Sequence, residues 1–595
     1  MDKRFYFERN LLALSQKDPA LCSRLSGAVT TLGRYRFLDS RTGESVPALV
    51  DAGGTAHPLH SVVDPRREGT RLIAALGDVG FLIFFGLGGG YHIAAALERQ
   101  EIHRILVIDY DINGIAELLA SRDYIHIFND PRVQLLIDPS PELLKQLILT
   151  TFQPALYGGI RVSPLRTRTE QDQDRFNHAG EAVKLAISSL STDYSVQAFF
   201  GTRWFSNIIR NLFRAAEQTR PLPPVRRAAI CAAGPSLDLQ LPLLGKDRSS
   251  RYIIATDTSL GSLLRGGIEP DAVVSIDCQH ISYYHFMAGY PRHIPLFLDL
   301  ASPPLLTSLP AELRFFSGGH PLTRYIARYW RPLPLLDTSG ANVTYAALSL
   351  AEHLGAECIE LYGADFSYPL GRTYARGAYI YPYFEVRQNR LNTLEARHSA
   401  FLYRSSSLIR RQRESPPDRE LWYYETPQMT RYREGIETKA RSLEGILIPI
   451  PGLGAPIELP GKPHPPQGAG IDCGVNPSGG KAAEPIRLFS AGRMLMGAGD
   501  FLTAYRRKVR ELPRIEQSVS AYLQGLSGEE GLLLSTLLPG AAALKRRTPG
   551  LEGRDLLEAV RNYALEELDR VISRAGYHAR AAYPTKESGT SSPPP

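Results

Sequence analysis

The sequence contains few cysteines and no long apolar run, and both absences restrict the class of protein. Its five cysteines are spread through 595 residues without a CxxC pair, which predicts neither a disulfide framework nor a zinc site. No apolar stretch approaches the ~20 residues that a membrane-spanning helix requires. The N-terminal segment MDKRFYFERN is not followed by an apolar signal core. We therefore expect a cytoplasmic protein without membrane insertion and with reduced, mostly buried thiols.

The sequence also lacks the concentrated charge that is typical of a nucleic-acid-binding protein. Lys and Arg number 68 against 61 Asp and Glu, so the net charge is only +7. No basic stripe interleaved with aromatic residues is present. We interpret the densest basic stretch, RSSSLIRRQR at 404–413, as a solvated helix face, with binding of an anionic ligand or an acidic partner as the alternative.

The order of apolar runs and helical patterns predicts several domains. The length corresponds to about three or four domains, and the alternation of both patterns indicates an α/β protein with two Rossmann-like parallel-sheet domains and a helical C-terminal domain. In chain order we expect an N-terminal helix with short strands (1–75), a Rossmann-like domain with a helical connector (76–220), a central α/β domain (225–450), a Gly/Pro linker (451–485), a helical domain (486–582) and a disordered tail (583–595).

A glycine turn in the N-terminal part predicts either a ligand site or a turn that belongs to the fold without binding a ligand. In FLIFFGLGGGYHIAAAL a buried strand is followed by Gly86, Gly88 and Gly90 and then by a helix. The next strand ends at Asp109, 19 residues after Gly90, about where a Rossmann-type fold places the acid that binds a ribose. The arrangement resembles the first half of an S-adenosylmethionine-dependent methyltransferase, but no catalytic motif of that class follows. We favour a structural role, with a nucleotide or sugar contact and methyl transfer as the alternatives.

Two turns in the central part predict sites at which backbone amides contact a ligand, and the second of them is suited to an anion. The strand RRAAICAAG runs directly into Gly234, Pro235 and Ser236, where small residues give a ligand access to the backbone. Further along, the turn 338–340 (Thr338, Ser339 and Gly340) precedes a helix that has Asn342 in its first turn.

Carboxylates follow several successive strands of the same domain. The strands RYIIATD, GIEPDAVVSID, IPLFLDL and CIELYGADF end at Asp257, Asp277, Asp299 and Asp365, and Gln279 follows the second of them. An open α/β sheet has its ligand crevice at the carboxyl ends of its strands. We therefore expect these side chains to lie near a ligand. Beyond the last strand, Tyr368 and Tyr374 lie six residues apart in a polar loop.

These pieces together resemble a known family. AAGPSLD, IATDTSL, GIEPDAVVSID and TSGANVTYAALSLAEHLGAECIELYGADFSY are similar to segments of the motility-associated factor (Maf) flagellin glycosyltransferases and of the bacterial sialyltransferases that share their core. The N-terminal FYFERNLLAL and the flanking domains also resemble Maf proteins, so the likeness covers most of the chain. Several blocks in the same order are more specific than any one of them.

The resemblance implies an inverting glycosyltransferase that supports flagellar assembly and motility. Its donor would be a cytidine-monophosphate (CMP)-activated nonulosonic acid of the pseudaminic, legionaminic or sialic type, and its acceptor a Ser or Thr of flagellin. In the related sialyltransferases two tyrosines hold the departing phosphate and a histidine is the general base; here these are Tyr368, Tyr374 and His398. The implied donor-binding residues are Gly234, Pro235, Ser236, Asp257, Asp277, Gln279, Thr338, Ser339, Gly340 and Asp365.

The sequence departs from that pattern at Asp257, where the sialyltransferases typically carry an asparagine. The central segment has no DxD motif, so we predict no obligatory cofactor and leave a role for Mg²⁺ open. Two alternatives remain. The central domain also resembles an archaeal 6-hydroxymethylpterin diphosphokinase group, whose reaction needs ATP, Mg²⁺ and carboxylates such as Asp257, Asp277 and Asp365. A non-catalytic protein could instead bind a flagellin helix through residues 486–582. The oligomeric state does not follow from the sequence.

Overall fold

A computed structural model describes residues 3–217, 221–246, 248–413, 421–443, 445–459, 495–516 and 518–582. The chain divides into two compact units. Unit 1 comprises Met1–Thr202 and Arg510–Tyr563, and unit 2 comprises Arg203–Val509 and Ala564–Pro595. Most of the predicted linker 451–485, including Cys473, and all of the predicted tail 583–595 lie outside the described residues.

Unit 1 contains a small antiparallel sheet of strand order β1-β2-β3 and a parallel sheet of order β6-β5-β4-β7. The described strands are β1 (Tyr35–Asp39), β2 (Ser45–Val50), β3 (Ala56–Pro58), β4 (Phe81–Phe85), β5 (Arg104–Asp109), β6 (Val133–Ile137) and β7 (Ile160–Pro164). Every residue of β4 is buried, as expected of a central parallel strand with helices on both faces.

The helices of unit 1 begin at clear capping residues. Asp64, Asp111 and Ser140 each accept a backbone N–H bond at a helix start. The described helices are α1 (Lys3–Ser15), α2 (Pro19–Ser26), α3 (Pro65–Ala75), α4 (Tyr91–Leu97), α5 (Ile112–Ser121), α6 (Ile125–Asn129), α7 (Pro141–Thr151), α8 (Pro154–Tyr157), α9 (Arg166–Thr169) and the long α10 (Gln173–Ala215).

Unit 2 is built on a parallel sheet of order β12-β11-β10-β9-β8-β13-β17, with a separate antiparallel sheet of order β14-β16-β15. The described strands are β8 (Arg227–Cys231), β9 (Tyr252–Thr256), β10 (Ala272–Ser275), β11 (Leu296–Asp299), β12 (Leu313–Phe316), β13 (Cys358–Tyr362), β14 (Tyr368–Pro369), β15 (Ile409–Arg413), β16 (Leu421–Glu425) and β17 (Ile446–Pro449). The chain order reverses between β8 and β13, which makes that gap the topological switch point of the sheet.

The helices of unit 2 include α11 (Leu237–Lys246), α12 (Asp257–Arg265), α13 (Pro321–Tyr329), α14 (Val343–His353), α15 (Ile380–Glu385), α16 (Leu394–Tyr403) and α17 (Pro427–Ser442), with short 3-10 helices at Arg248–Ser250, His280–Phe286 and Pro304–Ser308. The C-terminal helices are α18 (Ala498–Glu511), α19 (Val519–Gly525), α20 (Gly528–Arg547) and α21 (Gly553–Ala582). The division between the units falls within α10, α18 and α21.

The predicted fold class is confirmed: two Rossmann-like parallel sheets are present, and the described C-terminal region is helical. The domain boundaries drawn from the sequence stay predictions. None of the helices in the described ranges is both long enough and apolar enough to cross a bilayer.

Candidate functional site

The candidate site lies in unit 2, at the carboxyl edge of its parallel sheet. Asp257 directly follows β9, Asp277 follows β10 by two residues, and Asp299 ends β11. Because neighbouring parallel strands end at the same edge, the structure brings these three carboxylates to one side of the sheet. The Ser275 hydroxyl donates to Asp257 at 2.7 Å, and the Gln279 amide donates to Asp277 at 2.9 Å.

Burial sets the electrostatics of these carboxyl groups. It raises the pKa of Asp299, whose side chain accepts a hydrogen bond from the Ala301 amide at 2.7 Å. It also raises the pKa of Asp277; the Gln279 amide opposes this shift, and the negative charge of Asp257 adds to it. Asp257 and Asp277 therefore lie within electrostatic range of each other, an arrangement that is frequent at ligand sites.

The predicted ligand-binding turn 234–236 at the switch point is closed by the protein's own contacts. The Ser236 amide donates to Asp365 at 2.8 Å, and the Ser236 hydroxyl donates to the same carboxylate. From the segment after β17, Leu453 donates its amide to Ser236 at 2.6 Å, and Gly454 donates to Asp365 at 3.1 Å. A Cβ atom on Gly234 would lie 2.4 Å from the Asp365 carboxylate. The structure thus brings Gly234, Ser236 and Asp365 together, with their polar atoms bound to one another and to the segment 451–455.

The predicted turn 338–340 is also held by local contacts. Asn342 caps α14 by accepting the Tyr345 amide at 2.9 Å. The amide of Ser339 donates to one oxygen of Asp337, and the Tyr345 hydroxyl donates to the other, both at 3.0 Å. Ser339 itself is exposed. The turn therefore has a fixed shape at the start of a helix, with one exposed serine.

The two predicted tyrosines are brought together. Tyr368 lies in β14 opposite Tyr424 of β16, and Tyr374 is partly buried in the loop that follows. The Tyr374 ring lies 6.1 Å from that of Tyr379 and 6.4 Å from that of Phe401. Burial raises the pKa of Tyr374, and the proximity of Tyr379 and Tyr368 raises it further. The structure adds Tyr379 to the pair, a residue that the sequence analysis did not select.

Arg404 brings a positive charge to this group of phenols. Its guanidinium carbon lies 4.0 Å from the centroid of the Phe401 ring. Burial raises the pKa of Tyr368, Tyr374 and Tyr379, and the charge of Arg404 acts in the opposite direction on all three. Among the described residues, no carboxylate forms an ion pair with Arg404. A guanidinium of this kind beside three phenols is suited to bind an anion.

The interpretation of residues 404–413 as one helix face is wrong. Ile409–Arg413 forms β15, which pairs with β16 in antiparallel register. On β15 the Arg411 side chain donates to Glu425 at 2.9 Å, and Arg410 packs over the Trp422 ring at 5.0 Å. The aromatic partner strand supplies the tertiary context that decides between strand and helix in such a short segment.

A cavity of about 850 Å³ lies beside the tyrosines, and we call it the aromatic cavity. Its volume is in the range of small-molecule sites. It is lined by His280, Ile281, Tyr283, Tyr284, Leu305, Tyr379, Ile380, Tyr383, Phe384, Asn392, Arg397, Ala400, Phe401 and Arg404. Because Tyr379 and Arg404 belong to its wall, the charged and phenolic groups face a space that can hold a ligand.

His398, the predicted general base, lies on α16 and contacts the tyrosine loop. Its Nδ1 atom lies 3.3 Å from the Thr373 hydroxyl. Its ring packs against Tyr381 at 4.8 Å and Phe384 at 5.0 Å between centroids, and its Nε2 atom is buried without a hydrogen-bond partner among the described residues. Burial lowers the pKa of His398. The imidazole is therefore kept neutral, with Nε2 enclosed in this conformation.

His285 is a second histidine of the site that the sequence analysis missed. Its ring packs edge-on against Tyr379 with centroids 4.5 Å apart, and its charge lowers the pKa of Asp277 against the effect of burial. Its Nδ1 atom is buried without a hydrogen-bond partner in the described part of the chain. The sequence signal was the run HISYYHF, which follows the strand end at Asp277 and concentrates histidine and tyrosine there.

The described residues hold no group of three His, Cys, Asp or Glu arranged to bind a metal ion. Asp257 and Asp277 are neighbours, but Asp365 is bound to Ser236 and Gly454. The three carboxylates named for a diphosphokinase thus do not form one cluster.

The N-terminal glycine turn of unit 1 has the predicted shape. Gly86, Gly88 and Gly90 have φ angles of 101°, 51° and 73°, the left-handed region that favours glycine. The turn follows β4 and leads into α4. The His60 ring fills the space beside it: its Nε2 atom accepts the Gly89 amide at 2.9 Å, and a Cβ atom on Gly88 would lie 2.7 Å from that nitrogen.

Asp109, the predicted ribose ligand, is bound by a buried arginine. Arg168 donates to it through Nη2 at 2.6 Å and Nε at 3.0 Å, and the two side chains are 2% and 1% exposed. The Leu87 amide of the glycine turn donates to the other carboxylate oxygen at 3.4 Å. The carboxylate that would bind a ribose is thus neutralised inside the protein. These contacts favour the structural interpretation of the turn over a cofactor site.

The two parallel sheets and their helices define a Rossmann-like α/β protein. A solved structure of Maf glycosyltransferase from Magnetospirillum magneticum AMB-1 is similar over 98% of both chains, with a TM-score of 0.56 and 12% sequence identity. The resemblance to Maf proteins seen in the sequence is confirmed at the level of the fold. Residues 205–371 match the model of the 6-hydroxymethylpterin diphosphokinase MptE-like family.

Two proteins of Treponema pallidum (strain Nichols), both described as uncharacterized, are similar in sequence. One is 34% identical over 125 residues, which are 20% of this chain and 44% of that protein. The other is 31% identical over 164 residues, which are 27% of this chain and 78% of that protein. The chain thus spans less than half the length of the first of these proteins. It belongs to the same family as the second.

Proposed function

We propose that the chain is an inverting glycosyltransferase that transfers a nonulosonic acid of the pseudaminic, legionaminic or sialic type from its CMP-activated donor to Ser or Thr of flagellin. The reaction would take place in the cytoplasm and support flagellar assembly and motility. The observation that carries the proposal is the convergence of Tyr368, Tyr374, Tyr379 and Arg404 beside the aromatic cavity. The glycosyltransferase-like fold supports the same assignment.

The chemistry requires hydrogen-bond donors or a positive charge at the leaving group. When the bond between the sugar and the nucleotide breaks, negative charge builds on the departing phosphate. Hydrogen-bond donors aimed at that phosphate stabilise the transition state more than the ground state. Burial raises the pKa of Tyr368 and Tyr374, so both phenols keep their protons and can donate at neutral pH.

The acceptor hydroxyl must lose its proton to a base. His398 is neutral near pH 7 because burial lowers its pKa, and a neutral imidazole can accept that proton. The Thr373 hydroxyl at Nδ1 orients the ring. Because Nε2 is buried and Tyr381 and Phe384 pack against the imidazole ring, we propose that α15 and α16 move apart when the acceptor binds. We propose no obligatory metal cofactor, since the O–H donors of the phenols and the positive charge of Arg404 can together stabilise the leaving phosphate.

The test is transfer in vitro with purified protein, unmodified flagellin and CMP–N-acetylneuraminic acid. We expect CMP release together with a matching mass increment on flagellin, and a loss of about 10²–10³-fold in kcat for Tyr374→Phe, as for removal of one leaving-group donor. The matched control is Tyr290→Phe, which removes a buried hydroxyl that has no hydrogen-bond partner among the described residues. Near-normal turnover by Tyr374→Phe, or no transfer by the wild type with any nonulosonate donor, would contradict the proposal.

The match of residues 205–371 to the MptE-like family favours one second candidate, a diphosphokinase. That enzyme would release AMP from ATP in the presence of Mg²⁺ and 6-hydroxymethylpterin, and Asp257 and Asp277 would be its metal ligands. AMP release in the same preparation, lost in Asp277→Asn, would establish it. A protein that binds flagellin but yields neither CMP nor AMP would be the non-catalytic binder.

A further inference from the structure

A second cavity adjoins the aromatic cavity. It has a volume of about 560 Å³, and the two cavities share Phe401 and Arg404 in their walls. We call it the polar cavity, because its wall carries the polar side chains of Tyr368, Arg404, Ser405, Ser407, Thr426, Gln428, Arg431 and Tyr432. Its volume is sufficient for one sugar and its substituents.

The charges in the wall of the polar cavity have one sign. Arg404 and Arg431 line it, and no Asp or Glu is among the described residues of its wall. The Arg431 side chain donates a hydrogen bond to the Pro427 carbonyl oxygen at 3.3 Å, and the Arg404 guanidinium packs on the Phe401 ring. Neither guanidinium forms an ion pair with a carboxylate in the described part of the chain. Two such guanidiniums among hydroxyl and amide groups match a polyhydroxylated ligand that carries a carboxylate.

The aromatic cavity differs from the polar one in its many rings, and it shares with it a basic character from Arg397 and Arg404. Its wall contains the rings of Tyr283, Tyr284, Tyr379, Tyr383 and Phe401, with a larger volume of about 850 Å³. Aromatic rings stack on nucleobases, and each stacked base is worth about 1–3 kcal/mol. The flat, uncharged end of a nucleotide sugar therefore matches this cavity better than the polar one.

We propose that the two cavities divide the donor between them. The aromatic cavity holds the nucleobase, Arg404 and Tyr368 hold the phosphate where the cavities adjoin, and the polar cavity holds the acidic sugar with Arg431 paired to its carboxylate. This assignment rests on the proposed function and adds to it the place of each part of the donor.

The transfer step follows from this placement. The bond between the anomeric carbon and the phosphate oxygen breaks, and its electron pair leaves with the phosphate beside Arg404. The acceptor oxygen bonds to the anomeric carbon and gives its proton to the general base. Because Tyr368 lines the polar cavity, its phenol lies on the sugar side of the leaving group.

The test compares two ligands by titration calorimetry without acceptor: CMP, and CMP–N-acetylneuraminic acid. Arg431→Ala should leave the Kd of CMP within about twofold of the wild type but weaken the donor at least tenfold. Arg404→Ala should weaken both ligands at least tenfold, because it loses the phosphate contact. Arg410→Ala is the matched control: this exposed arginine also packs on an aromatic ring, that of Trp422, but lines neither cavity, so both Kd values should stay unchanged.

The outcomes separate the two proposals. If Arg431→Ala binds the donor as tightly as Arg410→Ala does, or weakens CMP as much as the donor, the polar cavity is not the sugar site and the inference is wrong. If the wild type binds neither ligand, the proposed function itself fails. A partial recovery of donor affinity in Arg431→Lys, at an unchanged melting temperature, would distinguish a charge contact from a general disturbance of the cavity.

Discussion

His60 and His92 of unit 1 lie side by side, with ring centroids 5.4 Å apart. His92 also packs edge-on against Phe84 at 4.6 Å and is almost completely buried. Burial lowers the pKa of His92 well below its ordinary value, and the charge of His60 lowers it further. The folded state therefore resists protonation of this imidazole, whereas the unfolded chain accepts a proton near pH 6.5.

This difference predicts a loss of stability in acid. Below about pH 6.5 the unfolded state binds a proton that the folded state does not, so the free energy of unfolding falls by up to about 1.4 kcal/mol per pH unit until the folded-state pKa is reached. His92→Leu should remove this part of the pH dependence. The measurement is denaturant unfolding of both proteins at pH 7.5 and 5.5. Equal slopes with pH for wild type and variant would exclude His92 as a source of the effect.

At the residue scale the sequence analysis selected part of the candidate site, whose roles stay predictions. Tyr368 and Tyr374 were found because their spacing is local, and the strand-end carboxylates because parallel strands end at one edge. Tyr379 and His285 were missed, since they contact each other from distant parts of the chain. Arg404 belongs to the basic stretch for which anion binding was the alternative interpretation. The hydrogen bond from the Leu453 amide to the Ser236 hydroxyl joins residues 217 positions apart, and a local sequence pattern cannot indicate such a contact.

Helices α10 and α20 approach each other closely within unit 1, and glycine makes the approach feasible. A Cβ atom on Gly201 of α10 would lie 1.7 Å from the Pro539 carbonyl oxygen of α20. The same helix contains Gly180, beside which nothing lies within 4 Å of an added Cβ atom. One helix therefore contains both a glycine required by packing and a glycine that packing does not require.

This contrast predicts opposite effects for two alanine substitutions. Gly201→Ala must push two backbones apart and should destabilise unit 1 by about 1–3 kcal/mol. Gly180→Ala should stabilise it by about 0.5–1 kcal/mol, because alanine loses less backbone entropy in a helix. Calorimetric melting temperatures check both signs. A Gly201→Ala protein as stable as the wild type would show that α10 and α20 are less closely packed.

At the element scale the strong periodic patterns were predictive. The helical connector within 76–220 is present, and so are the strands that the sequence analysis named in the two parallel sheets. The hairpin of β15 and β16 was not predicted. Its basic strand reads as a helix face in isolation, and only pairing with the aromatic LWYYE makes it a strand.

At the scale of the whole molecule, the acceptor decides the biological role. Deleting the gene should remove mass increments of nonulosonic acid from flagellin, because the transferase proposed for that step is absent. Wild-type complementation should restore them, and complementation with Tyr374→Phe should not. Mass spectrometry of purified flagellin from the parent, deletion and complemented strains provides the measurement. Unchanged flagellin mass in the deletion strain would contradict flagellin as the acceptor.

The closed switch point has a consequence for inhibitor chemistry. Ser236 and Asp365 bind each other and the amides of Leu453 and Gly454, so the crevice that many Rossmann-like enzymes offer to nucleotide mimics is already filled by the chain. A phosphate mimic aimed at that glycine turn would have to displace protein hydrogen bonds. Compounds that join an aromatic ring to an acidic group, matched to the cavities on either side of Arg404, would avoid that competition and would differ from the ligands of dinucleotide-binding enzymes.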